Sequence, residues 1–161
     1  KDGFFRTGDA GYIKNGELFL TERLKDLYKT SNGKYIAPQM IEALLLVDKY
    51  IDQVAVVADE RKFVSALVVP EFRLVEEYAH AHGIEFNSRE DLCANRQIHQ
   101  MMLDRIHKLV QQLAPYEQIK RITLIPHHFS MESGELTNTL KLRRPVILTN
   151  YKDLIDKMYE E

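Results

Sequence analysis

The stretch Val54-Ala55-Val56-Val57-Ala58-Asp59-Glu60-Arg61-Lys62-Phe63-Val64-Ser65-Ala66-Leu67-Val68-Val69-Pro70 sets two apolar runs on either side of four charged residues. Valine dominates both runs, and a β-branched side chain suits a pleated strand. Asp59-Glu60-Arg61-Lys62 reads as the turn between two strands. Pro70 ends the second, because it has no amide hydrogen for a ladder. Neither run alternates apolar with polar residues, so the sheet they form is expected to be covered rather than wet on one face.

The flanking sequence supplies the cover. Upstream, Pro38 suits the first turn of a helix, and Met40, Ile41, Leu44, Leu45 and Asp48 are expected to continue it. Downstream, Phe72 to His82 reads as a helix with Val75, Tyr78 and Ala79 inward and Gly83 at its stop. Ser88-Arg89-Glu90-Asp91 resembles a capping box with Asp in place of Glu. A long helix is expected to follow, with Ile98, Met101, Met102, Ile106, Leu109, Val110 and Leu113 at helical spacing, ending before Pro115. Ile119 to Ile125 reads as a strand, and Tyr151 to Tyr159 as a final helix. Near the start, Asn15-Gly16 between Tyr12-Ile13 and Leu18-Phe19-Leu20 is a two-residue hairpin signal. A second turn is expected at Ser31-Asn32-Gly33. Strands and helices in mixed order imply an α+β fold: a small mixed sheet flanked by helices, preceded by a β-hairpin segment. Charge followed by turn chemistry makes Arg23 to Asp26 the expected domain junction.

Bulk properties exclude several classes. The chain has 161 residues, 45% hydrophobic and 29% charged, with a net charge of −2, which gives no electrostatic case for nucleic-acid binding. No apolar run is long enough to span a bilayer, and no signal-peptide pattern opens the chain. The single cysteine, Cys93, forms no internal disulfide, sits in a helical pattern and reads as inert packing in a reducing compartment. The chain starts without Met and runs directly into turn and strand signals, so we expect a portion of a longer protein.

Candidate chemistry is sparse. His80 and His82 are two apart on a helix and face different ways; His127-His128 has no cysteine or carboxylate at ligand spacing, so no metal site is expected. Asp9, in the glycine-rich turn Arg6-Thr7-Gly8-Asp9, reads either as a turn carboxylate or as an acceptor for two vicinal hydroxyls, as a ribose offers. Ser31-Asn32-Gly33-Lys34 reads as a plain turn or a short phosphate-cradling nest. In Gly134-Glu135-Leu136-Thr137-Asn138-Thr139-Leu140-Lys141-Leu142-Arg143-Arg144-Pro145, a lysine follows small polar residues in a loop. It is either part of a solvated basic turn or a mobile point charge suited to a phosphate oxygen.

Read in order, these pieces resemble a family. "DGFFRTGDAGYIKNGELFLTERLKDLYKTSNGKYIAPQMIE" (residues 2–42), followed much later by "GELTNTLKLRRP" (134–145), is similar to the C-terminal end of acyl-activating, adenylate-forming enzymes. The phrases "RLKDLYKTSNGKYIAPQ" and "LTNTLKLRRP" resemble the long-chain fatty acid–CoA ligases in particular.

The resemblance implies an enzyme that makes acyl-adenylate from a fatty acid and ATP with Mg²⁺, then passes the acyl group to CoA. It implies residues 1–25 as the end of a larger N-terminal adenylation domain with the hinge, and residues 26–161 as a mobile C-terminal domain. Carried over by position, Asp9 would hold the ribose hydroxyls, and Arg23 would contact the nucleotide. Lys25 would be the hinge, where several relatives carry aspartate. Lys141 would be the catalytic lysine of adenylation. Ser31, Asn32 and Gly33 would line the CoA passage after domain rotation, although many relatives carry Gly-Gly at the last two. Arg143 and Arg144 stay open between CoA phosphates and interdomain salt bridges. The family's phosphate loop and acyl pocket belong to the N-terminal domain, its expected partner, so this chain alone is expected to be inactive. The expected location is the cytoplasm, with peripheral membrane contact open. Two other readings are an adenylating ligase that loads an acyl carrier protein, and a non-enzymatic α+β interaction module.

Overall fold

The computed structural model describes residues 5, 7–23 (21–23 by backbone only) and 26–160. A hairpin comes first, β1 (Asp9–Lys14) with β2 (Glu17–Arg23), antiparallel around Asn15-Gly16. Both turn residues have positive φ, 53° and 84°, the left-handed geometry that a two-residue turn between right-twisted strands requires. A second, shorter hairpin joins β3 (Tyr28–Lys29) to β4 (Tyr35–Ile36). Helix α1 (Pro38–Leu45) leads into β5 (Ile51–Val57) and β6 (Val64–Pro70), the two apolar runs, paired antiparallel. Helices α2 (Phe72–Ala81), α3 (Arg89–Ala94) and α4 (Arg96–Val110) carry the chain to β7 (Ile119–Leu124), which pairs parallel with β6. The chain then runs through a loop to α5 (Arg144–Asn150) and α6 (Lys152–Tyr159).

The sheet order is β5-β6-β7, and all seven residues of the central β6 are buried. Successive strand side chains point to opposite faces, so seven buried in a row require cover on both, as the unbroken apolar pattern implies. The cover comes from α1 with α4, and from α5 with α6, which contact β5 and β7. Ile36, Ile41, Leu45, Leu67, Ile98, Met102, Ile106, Ile119 and Ile147 lie fully inside this core. No described residue of β1 or β2 belongs to it; Tyr12, Ile13, Leu18 and Leu20 stand exposed on the hairpin.

Three expectations are corrected. The expected long helix is broken at Asn95, whose side-chain oxygen accepts from the amides of Gln97 and Ile98 and so starts α4 as a separate element. The capping box before α3 is a variant: Ser88 Oγ accepts from Asp91 N, while Asp91 reaches the amide of Asn87 rather than that of Ser88. The buried stripe of α1 is Pro38, Ile41, Glu42 and Leu45, with Met40 exposed. Asp48 lies past the helix end, where both its carboxylate oxygens accept from Arg105 Nε of α4.

Candidate functional site

Three places hold the residues singled out in the sequence. The first is the open end of the β1–β2 hairpin, where Asp9 and Arg23 are opposite partners in the register. Gly8, at φ 78°, turns the chain into β1, and the Asp9 amide donates to Thr7 Oγ1 at 3.2 Å. Gly11 sits beside a register shift, and a Cβ there would meet the Phe19 carbonyl oxygen at 2.6 Å, so only glycine permits this pairing. Lys25, the expected hinge, lies outside the described residues.

The second place is the β3–β4 turn. Thr30 and Lys34 close it: the Thr30 amide donates to the Lys34 carbonyl, and the Lys34 amide donates to Thr30 Oγ1. Gly33 is left-handed at φ 76° and open to solvent. The turn is laid against the β5–β6 turn, with the Ser31 amide donating to the Arg61 carbonyl at 3.0 Å and the Glu60 amide to the Lys29 carbonyl at 2.8 Å. Asn32 folds its side-chain amide back onto the Lys62 carbonyl at 3.4 Å.

The third place is the loop with Lys141. Leu136 and Leu142 bridge across it, and between them the Thr137 amide donates to the Lys141 carbonyl at 2.8 Å. The Lys141 amide donates to Thr137 Oγ1, and the Leu140 amide to the Thr137 carbonyl. Leu140 is left-handed at φ 59°, an uncommon state for a branched, bulky side chain, and its neighbour Lys141 projects from the tip, exposed. Among the described residues no carboxylate pairs with the Lys141 ammonium.

Both stems of this loop end on buried carboxylates. Glu135 is 3% exposed; its two oxygens accept from Ser133 Oγ at 2.7 Å and Asn150 Nδ2 at 3.0 Å. Burial, with the Glu135 carboxylate beside it, pushes the Tyr151 phenol up to about 12. On the other side, Arg144 forks onto Glu42 of α1 through two bonds of 2.6 Å. Glu42 Oε1 also accepts from the Val56 amide of β5. Burial works against the charge on Arg144, but the Glu42 carboxylate outweighs it and holds the guanidinium above its ordinary value.

This fork decides one of the two open arginines. Arg144 is committed within the domain, while Arg143 stays exposed, with its guanidinium over Gly134. The sequence reading also missed α5, which begins at Arg144-Pro145, and the partnership of Glu42 with Arg144. The signal for Glu42 was its place in the spacing 38, 41, 42, 45, the buried stripe of a helix.

No hydrogen bond joins the Lys141 loop to the Ser31–Gly33 turn among the described residues, and each is braced by different elements. A cavity of about 420 Å³ bounded by Tyr28, Asp59, Arg61 and Leu148 contains none of the predicted site residues. Ser31, Asn32, Gly33 and Lys141 therefore lie on exposed, braced turns rather than in one pocket.

Residues 25–161 match the model of the AMP-binding enzyme C-terminal domain. The chain belongs to this family. It is 36% identical over 163 residues to human "Long-chain-fatty-acid–CoA ligase 1", aligned over 99% of this chain and 23% of that protein. To "Long chain acyl-CoA synthetase 2" of Arabidopsis thaliana it is 32% identical, over 99% of this chain and 25% of the relative. The chain thus spans about a quarter of the length of these relatives. Its fold matches the adenylation domain of a carboxylate reductase from Mycobacterium chelonae, with a TM-score of 0.79 at 24% identity, over 100% of this chain and 24% of the other. A Mycobacterium tuberculosis fatty acyl CoA synthetase matches with a TM-score of 0.56 at 23% identity, over 96% and 25%. At those identities the structures establish the α+β fold alone. The relatives are ligases of this family, which does not favour the non-enzymatic reading.

Proposed function

We propose that this AMP-binding C-terminal domain belongs to an ATP-dependent long-chain fatty acid–CoA ligase and carries its adenylation lysine, Lys141. The observation that carries the reading is an exposed ammonium, unpaired among the described residues, on a loop whose backbone is closed by its own hydrogen bonds. A fatty-acid carboxylate oxygen would attack the α-phosphorus of ATP, releasing pyrophosphate and leaving acyl-adenylate. Lys141 would stabilise the negative charge that gathers between the two reactants. The thiol of CoA would then attack the acyl carbonyl, and AMP would leave.

In this reading residues 1–25 end the N-terminal domain, and 26–161 form the mobile C-terminal domain with Lys25 at the hinge. The exposed apolar side chains of the hairpin, and its separation from the core, support that division. Asp9 and Arg23, opposite one another, would face the nucleotide ribose and phosphate. Ser31, Asn32 and Gly33 would line the CoA passage once rotation brings their turn to the site. The separate bracing of the two loops suits alternate presentation of each as a rigid unit. Among the described residues no group of three His, Cys, Asp or Glu side chains is assembled to hold a metal ion. Among the described residues no helix is long and apolar enough to cross a membrane. A cytoplasmic location, with peripheral contact for a fatty substrate, completes the reading.

The test separates the two half-reactions in the full-length enzyme. Lys141→Ala should lower adenylation by roughly 10²–10³-fold, as for loss of a transition-state donor, and spare thioester formation from supplied acyl-adenylate. Equal loss in both steps would mean that Lys141 is structural.

A further inference from the structure

The chain between the buried Arg144–Glu42 fork and Lys141 contains only Leu142 and Arg143. Leu142 is bridged to Leu136, and the Arg143 amide donates to the Glu135 carbonyl at 2.7 Å. Arg144 opens α5, and its guanidinium meets both oxygens of Glu42, whose side chain is 8% exposed. Glu42 is in turn held by the Val56 amide at 2.8 Å. Hydrogen bonds therefore run from the Val56 amide of β5 through Glu42 to the side chain of Arg144, whose backbone follows Lys141 by three residues.

We propose that Glu42 and Arg144 are positioning residues for Lys141, fixing where its loop leaves the domain and so where the ammonium is presented. The proposal rests on the reading of Lys141 as the adenylation lysine. A guanidinium–carboxylate fork constrains a plane as well as a distance, which a pair of apolar side chains filling the same space does not. That constraint matters for a group that must reach a reaction centre built by another domain, because a displacement of about 1 Å is enough to cost on the order of 10²-fold in rate. Neither residue needs to touch substrate. Arg144 is turned inward, toward α1 and the Tyr28 ring, whose centroid lies 5.7 Å from its Cζ.

Arg144→Lys in the full-length enzyme is the test, because it keeps the charge and loses the fork. Adenylation kcat should fall roughly 10–10²-fold, with KM for ATP held within about twofold and thioester formation from supplied acyl-adenylate unchanged. In a Lys141→Ala background the same substitution should cost nothing further, since a group that acts through Lys141 has no effect once the ammonium is gone. An additional loss of about tenfold in that background, or equal losses in both half-reactions, overturns the proposal. If Arg144→Lys does not fold, Glu42→Gln, which still accepts from Val56 but cannot neutralise Arg144, is read in the same way. If Lys141→Ala leaves adenylation intact, the reading of Lys141 fails and the positioning role with it. If Lys141→Ala is crippled and Arg144→Lys is not, the positioning role alone fails.

Discussion

Replacing Arg144 with Met isolates the energetics of the buried fork. Met fills much of the same volume but removes the cation, leaving Glu42 facing an apolar surround with one backbone donor, the Val56 amide. The side chains are 18% and 8% exposed, so solvent can compensate little for the lost partner. Removing one member of a buried, hydrogen-bonded pair costs about 3–5 kcal/mol, most of it from the charge left behind. At about 2–4 °C per kcal/mol for a protein of this size, the melting temperature should fall by roughly 6–20 °C. Replacing both partners, Glu42→Leu with Arg144→Met, should recover about 2 kcal/mol of that. What remains is about 1–3 kcal/mol for the orphaned Val56 amide. Urea unfolding of the 161-residue chain, followed by far-ultraviolet circular dichroism, measures both. A loss below about 1 kcal/mol in the single variant, the range of exposed pairs, would show that the fork behaves like a surface salt bridge and refute the buried-clamp argument.

Two further outcomes follow from local chemistry. Asn95→Ala removes an acceptor shared by two amides and should cost about 1 kcal/mol, read by urea unfolding, while Asn95→Gly should cost only a few tenths. Burial pushes the Cys93 thiol up to about 12, with Glu90 adding to the shift. Alkylation of the folded chain at pH 8 should therefore be far slower than that of the urea-unfolded chain, and similar rates would contradict the burial of Cys93. Because the folded state holds this proton longer than the unfolded one, the contribution of Cys93 is intact below about pH 9 and is lost as pH rises toward 12.

Local chemistry was legible in the chain. Asn15-Gly16 could close only a tight hairpin, and two valine-rich runs around a charged turn could make only a covered pair of strands. Where a side chain competed with a periodic pattern, the reading fell short. Asn95 lies inside an apolar repeat that reads as helical on both sides, and only its double bond to Gln97 and Ile98 shows that one helix ends and another begins. Pro145 carried a helix-start signal that the basic run Lys141-Leu142-Arg143-Arg144 masked, because a cluster of cations reads as a solvated loop.

The sequence by itself determined the α+β class, the first hairpin, the resemblance to adenylate-forming ligases and the prominence of Lys141, which rest on local patterns and on motifs met in order along the chain. The tertiary structure decided what Arg144 does. Glu42 and Arg144 are 102 positions apart, and no periodicity links residues at that separation. Only packing α1 and the start of α5 against the same sheet brings them within 2.6 Å, and the low polarity of that interior is what turns two ordinary charged residues into a fixed mount for the lysine loop.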